Sequence, residues 1–175
     1  MSYLVSRRTV CIPFKILMTN HCIYNCAYCV NAVSREVKRA ILTPEEIADV
    51  TIAFYRRNYI EGLFLSSGVY RSPDYTTELL IRTARILREE KKFNGYIHMK
   101  GIPGTNATLI RQLGRYVDRL SVNIELPSSS SFKTLGTAER PKRISSFPWV
   151  ISVKASISGV MKRNGTRRCR PLCGR

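Results

Sequence analysis

An alternation of strand-like and helix-like runs constrains this chain more than any other feature. Residues 13–19 (PFKILMT), 60–66 (IEGLFLS), 96–102 (YIHMKGI) and 119–126 (RLSVNIEL) read as strands. Helical patterns fall between them. Thr43-Pro44-Glu45-Glu46 opens the first helix: Thr43 caps, Pro44 fits the first helical position, and Glu46 completes a capping box. Ile47, Val50 and Phe54 are its expected buried stripe. Asp74 is the expected cap of the second helix, with Leu80, Ala84 and Leu87 inward and a supporting Glu78–Arg82 pair. Asn94-Gly95 is expected to end it. Pro103-Gly104 makes a turn, and Leu109, Leu113 and Val117 mark the third helix.

Such alternation is the pattern of parallel βαβ units with right-handed crossovers. An open doubly wound sheet and a barrel segment both satisfy it, and the strand faces choose between them. Strands covered on both faces read as near-continuous apolar runs. Here Ser121, Asn123 and Glu125 alternate with Leu120, Val122, Ile124 and Leu126, and His98 and Lys100 alternate with Ile97 and Met99. One face is apolar and packs on helices. The other lines a lumen or a site, or carries only a structural Lys100–Glu125 pair. The expectation is an α/β fold, a partial parallel (β/α) barrel of about four βα units.

The pattern fails after Leu126. Pro127, Ser128 to Ser131, Gly136, Pro141 and Pro148 interrupt any period, and only residues 147–153 (FPWVISV) resemble a further strand. Charge shifts there too. The chain carries a formal +17. Residues 1–132 hold 18 Lys+Arg against 11 Asp+Glu, whereas 133–175 hold 11 against Glu139 alone. The expected division is a partial barrel at 1–132 and a basic, poorly ordered tail at 133–175. A surface this basic attracts polyanions such as nucleic acid without identifying one. No apolar run approaches a membrane span of about 18 residues. Arg7-Arg8 superficially resembles a twin-arginine signal, but Lys15 interrupts the short apolar stretch behind it and no cleavage site precedes Cys22. The expected compartment is the cytoplasm.

Six cysteines carry the chemistry. Cys22, Cys26 and Cys29 form C-x3-C-x2-C in CIYNCAYC, Cys169 and Cys173 form C-x3-C in the tail, and Cys11 stands alone. A disulfide framework fits poorly, because three close cysteines leave one unpaired. Zinc normally takes further ligands spaced as pairs. His21 is adjacent and can serve, but not at a common zinc-knuckle spacing. Three thiolates without an obvious fourth suit an iron–sulfur cluster with one iron open. The cluster of cysteines also follows the carboxyl end of the first strand, where sites in strand–helix folds lie.

C-x3-C-x2-C with an aromatic residue, Tyr28, before the last cysteine resembles the signature of the radical S-adenosylmethionine (radical SAM) enzymes. The words KILMTNHCIYNCAYC, TPEEIADVTIAFYRRNYIEGLFLSSGVYRSPDY, FNGYIHMKGIPG and DRLSVNIELP resemble a narrower group. Its members are described as DNA modification or repair radical proteins linked to uracil-DNA glycosylase. The resemblance implies that Cys22, Cys26 and Cys29 hold a [4Fe–4S] cluster. Its open iron takes S-adenosyl-L-methionine, which reduction cleaves to methionine and a 5′-deoxyadenosyl radical. It further implies an electron donor as partner and a nucleic-acid substrate.

Family members usually carry a Gly-Gly-Glu-like turn after the second strand, which binds the methionine amino group. The matching place here is Ser66-Ser67-Gly68, with hydroxyls able to accept from an ammonium but no carboxylate. The fourth strand of the family faces the ribose, which points to Glu125 or Asn123. Tyr28 is a candidate for packing near the adenine, or simply packs the loop. Lys100 is a weaker candidate for the methionine carboxylate, and His98 is expected to line the lumen rather than to bind. Cys169 and Cys173 suggest either a second cluster or, the reading preferred here, a tail that departs from the family from about Ser145. The family core has about six βα units, so four leave the expectation of an incomplete enzyme. The alternatives are a non-catalytic fragment, a basic metal-binding module, or the same chemistry on another substrate.

Overall fold

The computed structural model describes residues 13–122. Among these residues four strands form one sheet: β1 (Pro13–Leu17), β2 (Gly62–Ser66), β3 (Tyr96–Gly101) and β4 (Arg119–Val122). All neighbours are parallel and the spatial order is β1-β2-β3-β4. Between them lie α1 (Pro44–Arg56), α2 (Pro73–Arg85) with a π-helical extension (Ile86–Glu90), and α3 (Ala107–Gly114). A sequential order with crossovers of one hand places every helix on the same side of the sheet. A doubly wound sheet needs the order to reverse. The fold is therefore the barrel-like alternative, a partial parallel (β/α) barrel.

Burial follows the strand period of two. Leu63, Leu65, Ile97, Met99 and Leu120 are buried against the helices. Lys15, Phe64, His98 and Arg119 fall in one register row on the opposite face, with Lys100 and Ser121 in the next. The side chain of every other residue on β3 is thus withheld from the core, as the alternation predicts. Continuation of β4 through Asn123 and Glu125, the division at 132/133, the possible strand at 147–153, and Cys11, Cys169 and Cys173 lie outside the described residues.

The helices form for local reasons and dock by their apolar stripes. Thr43 caps α1 with the complete capping box: its hydroxyl accepts from Glu46 N, and the Glu46 carboxylate accepts from Thr43 N. These bonds hold the Glu46 carboxyl below its ordinary pKa. Leu80, Ala84 and Leu87 are fully buried, as expected. The α1 stripe is rotated from the expected one. Ile47, Ala48, Thr51 and Ile52 are buried, while Val50 is 41% exposed and Phe54 packs edge-on against Phe14. Small Ala48 and a Thr51 that bonds back to Ile47 O let the helix approach closely.

Three local expectations are corrected. Ser72, not Asp74, caps α2, and Pro73 takes the first helical position. Asp74 instead accepts from Asn106 N, joining α2 to the start of α3. Arg82 pairs with Glu45 of α1 at 2.6 Å rather than forming the expected bridge to Glu78. Positive φ after α2 falls on Lys92 (52°) rather than on Asn94-Gly95, because the π-helical turn alters the phase of the ending. Gly104 does take positive φ (86°), in the turn predicted for it.

Candidate metal centre

Between β1 and α1 the chain leaves the sheet, carries the three cysteines, and returns through an isolated bridge from Thr19 to Ile41. Its base is closed by backbone and side-chain bonds. Leu42 N donates to Met18 O (2.8 Å), Thr19 Oγ1 to Ala40 O (2.7 Å), and Asn20 Nδ2 to Lys38 O (2.7 Å). Asn20 Oδ1 accepts from Ala40 N (2.8 Å), so this amide completes a two-way clasp. None of these was picked out by sequence reading, because isolated Thr and Asn in a loop carry no spacing signal.

Cys22, Cys26 and Cys29 are free thiols of intermediate exposure. Cys29 N donates to Cys26 O (3.0 Å) and Ala32 N to Cys29 O (3.2 Å), so the chain turns tightly around the second and third cysteines. Burial raises the Cys26 pKa, and the negative charges of Cys22 and Cys29 raise it further, against a Tyr28 hydrogen bond that lowers it. The Cys26 thiol thus feels both Cys22 and Cys29. Tyr24 is raised by burial and then by Cys22 and Cys26. Tyr28 is 50% exposed, with its hydroxyl on Cys26.

The turn after β2 is built into the same place. Met18 N donates to Ser66 O (2.8 Å), Gly68 N to Thr19 O (2.8 Å) and Ile23 N to Val69 O (2.9 Å). Cys22 is thus clamped on both sides by residues bonded to that turn. Gly68 is required there, since a Cβ would stand 2.4 Å from His21 O. His21 stacks edge-on with Tyr70 (5.7 Å). Ser67 Oγ donates to Gly68 O (2.7 Å). The structure so brings together the cysteine loop and Ser66-Ser67-Gly68. Asn123 and Glu125 are outside the described residues.

Beside the turn a cleft of about 410 Å³ opens at the carboxyl ends of β2 and β3. Lys15, Phe64, Ser66, Lys100 and Pro103 are among its walls. A second cleft, of about 350 Å³, lies at the amino ends of β3 and β4 near Arg88 and Arg115. Parallel βα folds place chemistry at the carboxyl ends, which favours the first. His98 stands on the same sheet face, edge-on to Phe64 (4.5 Å) and 2.8 Å from Ser121 Oγ. Burial, then Arg119 and Lys100, lower its pKa to about 4, so it is neutral at physiological pH.

Three soft thiolates, none tied up in a disulfide, are a donor set for an iron–sulfur centre with one iron left without a cysteine. Among the described residues no three His, Cys, Asp or Glu side chains are gathered closely enough to hold a metal ion. The ligand cage is not preformed in the chain alone, which is ordinary where metal binding and loop folding are coupled. Mutual repulsion of the thiolates is what a cationic centre relieves.

Fold and site together define a partial (β/α) barrel with a thiolate loop clasped to the carboxyl rim of its sheet. Residues 16–153 match the Radical SAM superfamily, and the chain belongs to that superfamily. Its members use a [4Fe–4S] cluster and S-adenosylmethionine. No curated protein matches the chain in sequence. Solved structures share the fold. HydG, a maturase of the [FeFe]-hydrogenase, is 17% identical with TM-score 0.59, over 83% of this chain and 32% of that one. Methylornithine synthase (PylB) is 17% identical with TM-score 0.60, over 85% and 42%. HydG from Carboxydothermus hydrogenoformans is 18% identical with TM-score 0.62, over 83% and 33%. The match therefore spans less than half the length of each of these proteins. Among the described residues no helix is long and apolar enough to cross a membrane.

Proposed function

We propose that this chain is the S-adenosylmethionine-cleaving part of a radical enzyme, with Cys22, Cys26 and Cys29 as the ligands of its [4Fe–4S] cluster. The observation that carries the reading is the clasp between the cysteine loop and the Ser66–Gly68 turn, made through Gly68 N–Thr19 O and Ile23 N–Val69 O. Cys22, Cys26 and Cys29 would hold the cluster there, and it would supply the electron for reductive cleavage of the sulfonium bond of S-adenosylmethionine.

The protein's own share is binding and orientation. Ser66 and Ser67 offer hydroxyl and carbonyl oxygens to the methionine ammonium, and Gly68 admits close backbone approach. Lacking the usual carboxylate, this turn holds the ammonium by neutral acceptors. The ammonium still donates charge-assisted bonds to these oxygens, but it forms no ion pair, so affinity for S-adenosylmethionine is expected to be modest. By the family resemblance, Glu125 or Asn123 is the proposed partner of the ribose, with Glu125 preferred because a carboxylate can accept from two hydroxyls. Tyr28, hydrogen-bonded to Cys26, packs the cluster loop as well as flanking the adenine.

Nucleic acid is the proposed substrate, supported by the formal +17 charge and by the resemblance of the strand and loop words to DNA modification or repair radical proteins. A soluble reductant is the proposed electron partner and the cytoplasm the proposed compartment. The test is reconstitution with iron and sulfide without oxygen, then assay of 5′-deoxyadenosine formed from S-adenosylmethionine and dithionite. Formation that is lost in Cys26→Ala and rises with an added DNA oligonucleotide supports the whole reading. Formation indifferent to DNA removes the substrate; zinc bound in place of iron removes the reaction.

A further inference from the structure

Arg39 makes a set of contacts that ordinary loop arginines do not. Its Nη1 donates to Asn20 O (2.5 Å) and Asn31 O (2.9 Å), and its Nη2 to Ala32 O (2.7 Å) and Arg35 O (3.0 Å). Asn20 precedes the first cysteine, while Asn31, Ala32 and Arg35 follow the last. One guanidinium therefore joins both flanks of the cysteine segment. It is only part-exposed, and its ligands are four carbonyls rather than a carboxylate.

The N–H groups of three of these peptide units continue inward. The Asn31–Ala32 peptide donates through Ala32 N to Cys29 O (3.2 Å). The Ala32–Val33 peptide donates through Val33 N to Tyr24 O (3.0 Å). The Asn20–His21 peptide donates through His21 N to Thr19 Oγ1 (3.0 Å), one residue before Cys22. A cation on each carbonyl polarises the N–H of the same peptide, so the chains strengthen cooperatively. Arg39 thus reaches the Cys29 carbonyl through a two-bond path, and it holds directly the Asn20–His21 peptide that leads into Cys22.

We propose that Arg39 is the positioning residue of the cluster loop: its planar fork fixes the backbone that presents Cys22 and Cys29, and its charge offsets that of the thiolate-ligated cluster. The proposal rests on the reading of this loop as the cluster site. The fork and the charge are separable, because lysine keeps the charge as a mobile point with three donors and cannot reproduce the fork. Glutamine keeps neither.

The test uses the full chain and the variants Arg39→Lys and Arg39→Gln. In iron-free protein, amide exchange at His21, Ala32 and Val33 is expected to speed at least tenfold in both variants, with β2 and β3 amides unchanged. In reconstituted protein, loss of iron to a chelator is expected to speed at least tenfold in both. The cluster's reduction potential is expected to fall in Arg39→Gln and to stay near wild type in Arg39→Lys. Wild-type chelation kinetics and potential in Arg39→Gln overturn the proposal, whatever the exchange shows. Should Arg39→Gln not fold, Arg39→Lys decides: wild-type exchange and chelation in it overturn the fork. Failure of the wild type itself to take up iron and sulfide counts against the cluster site, and the exchange arm then still decides whether Arg39 fixes the loop.

Discussion

Replacing Gly68 by alanine tests whether the turn after β2 braces the cysteine loop. The added methyl lies 2.4 Å from His21 O and 3.1 Å from Thr19 O, both backbone atoms that no side-chain rotation can move away. Carbon–oxygen contacts settle at about 3.3–3.6 Å, so the two segments must part by about 1 Å. Overpacking of this kind costs about 1–3 kcal/mol. The same movement stretches the Gly68 N–Thr19 O bond, now 2.8 Å, worth about 0.5–1.5 kcal/mol. Gly68 is not at positive φ, so alanine adds no backbone strain and recovers about 0.4–1 kcal/mol from the unfolded chain. The net is a loss of about 2 kcal/mol. With a urea slope of about 1–3 kcal/mol per M, the midpoint drops by about 1 M. Urea titration by circular dichroism reads this, and iron uptake should fall in parallel because His21 abuts Cys22. A midpoint within about 0.2 M of wild type, with full iron uptake, would refute the bracing.

Two further predictions concern the sheet and its lower end. Arg88 and Asp118 pair at 2.5 Å with side chains 12% and 14% exposed, and Arg88 also donates to Phe93 O, Gly95 O and Tyr116 O. Arg88→Ala removes the counter-charge and leaves the carboxylate only the Ile97 N–H (2.8 Å), and should cost about 3–5 kcal/mol, read from urea midpoints; a loss under about 1 kcal/mol contradicts the buried pairing. His98 has its pKa lowered from 6.5 to about 4, first by burial and then by Arg119 and Lys100. The unfolded chain then binds the proton more readily than the folded one, so the stability this group contributes is complete above pH 6.5 and is lost as pH falls to about 4. The ceiling of about 3 kcal/mol shrinks to about 1 kcal/mol for a part-exposed site. His98→Gln should flatten the stability profile in that window, and an unchanged difference between pH 7 and pH 4 denies the shift.

Much of this fold was legible because strands report their faces with a period of two. Ile97 and Met99 inward, His98 and Lys100 outward, follow from that period alone. The capping box at Thr43 and the stripe Leu80, Ala84 and Leu87 are equally local signals. Two of the expectations that failed are ones in which tertiary partners outbid local ones. Asp74 and Arg82 both looked like residues serving their own helix, and both serve a neighbour, Asn106 and Glu45. In the site, cysteine spacing located the loop and the strand end located its place. Arg39 and Asn20 were invisible, because a backbone carbonyl as partner leaves no mark in sequence.

The central claim is that three cysteines hold one cluster whose open iron meets S-adenosylmethionine. Electron paramagnetic resonance of the reconstituted, dithionite-reduced chain tests it most directly. The account predicts a [4Fe–4S] signal at one cluster per chain that changes when S-adenosylmethionine is added, disappears in Cys22→Ala, Cys26→Ala and Cys29→Ala, and persists in Cys11→Ala, Cys169→Ala and Cys173→Ala. A signal that S-adenosylmethionine leaves unmoved, or a full cluster in Cys26→Ala, contradicts it.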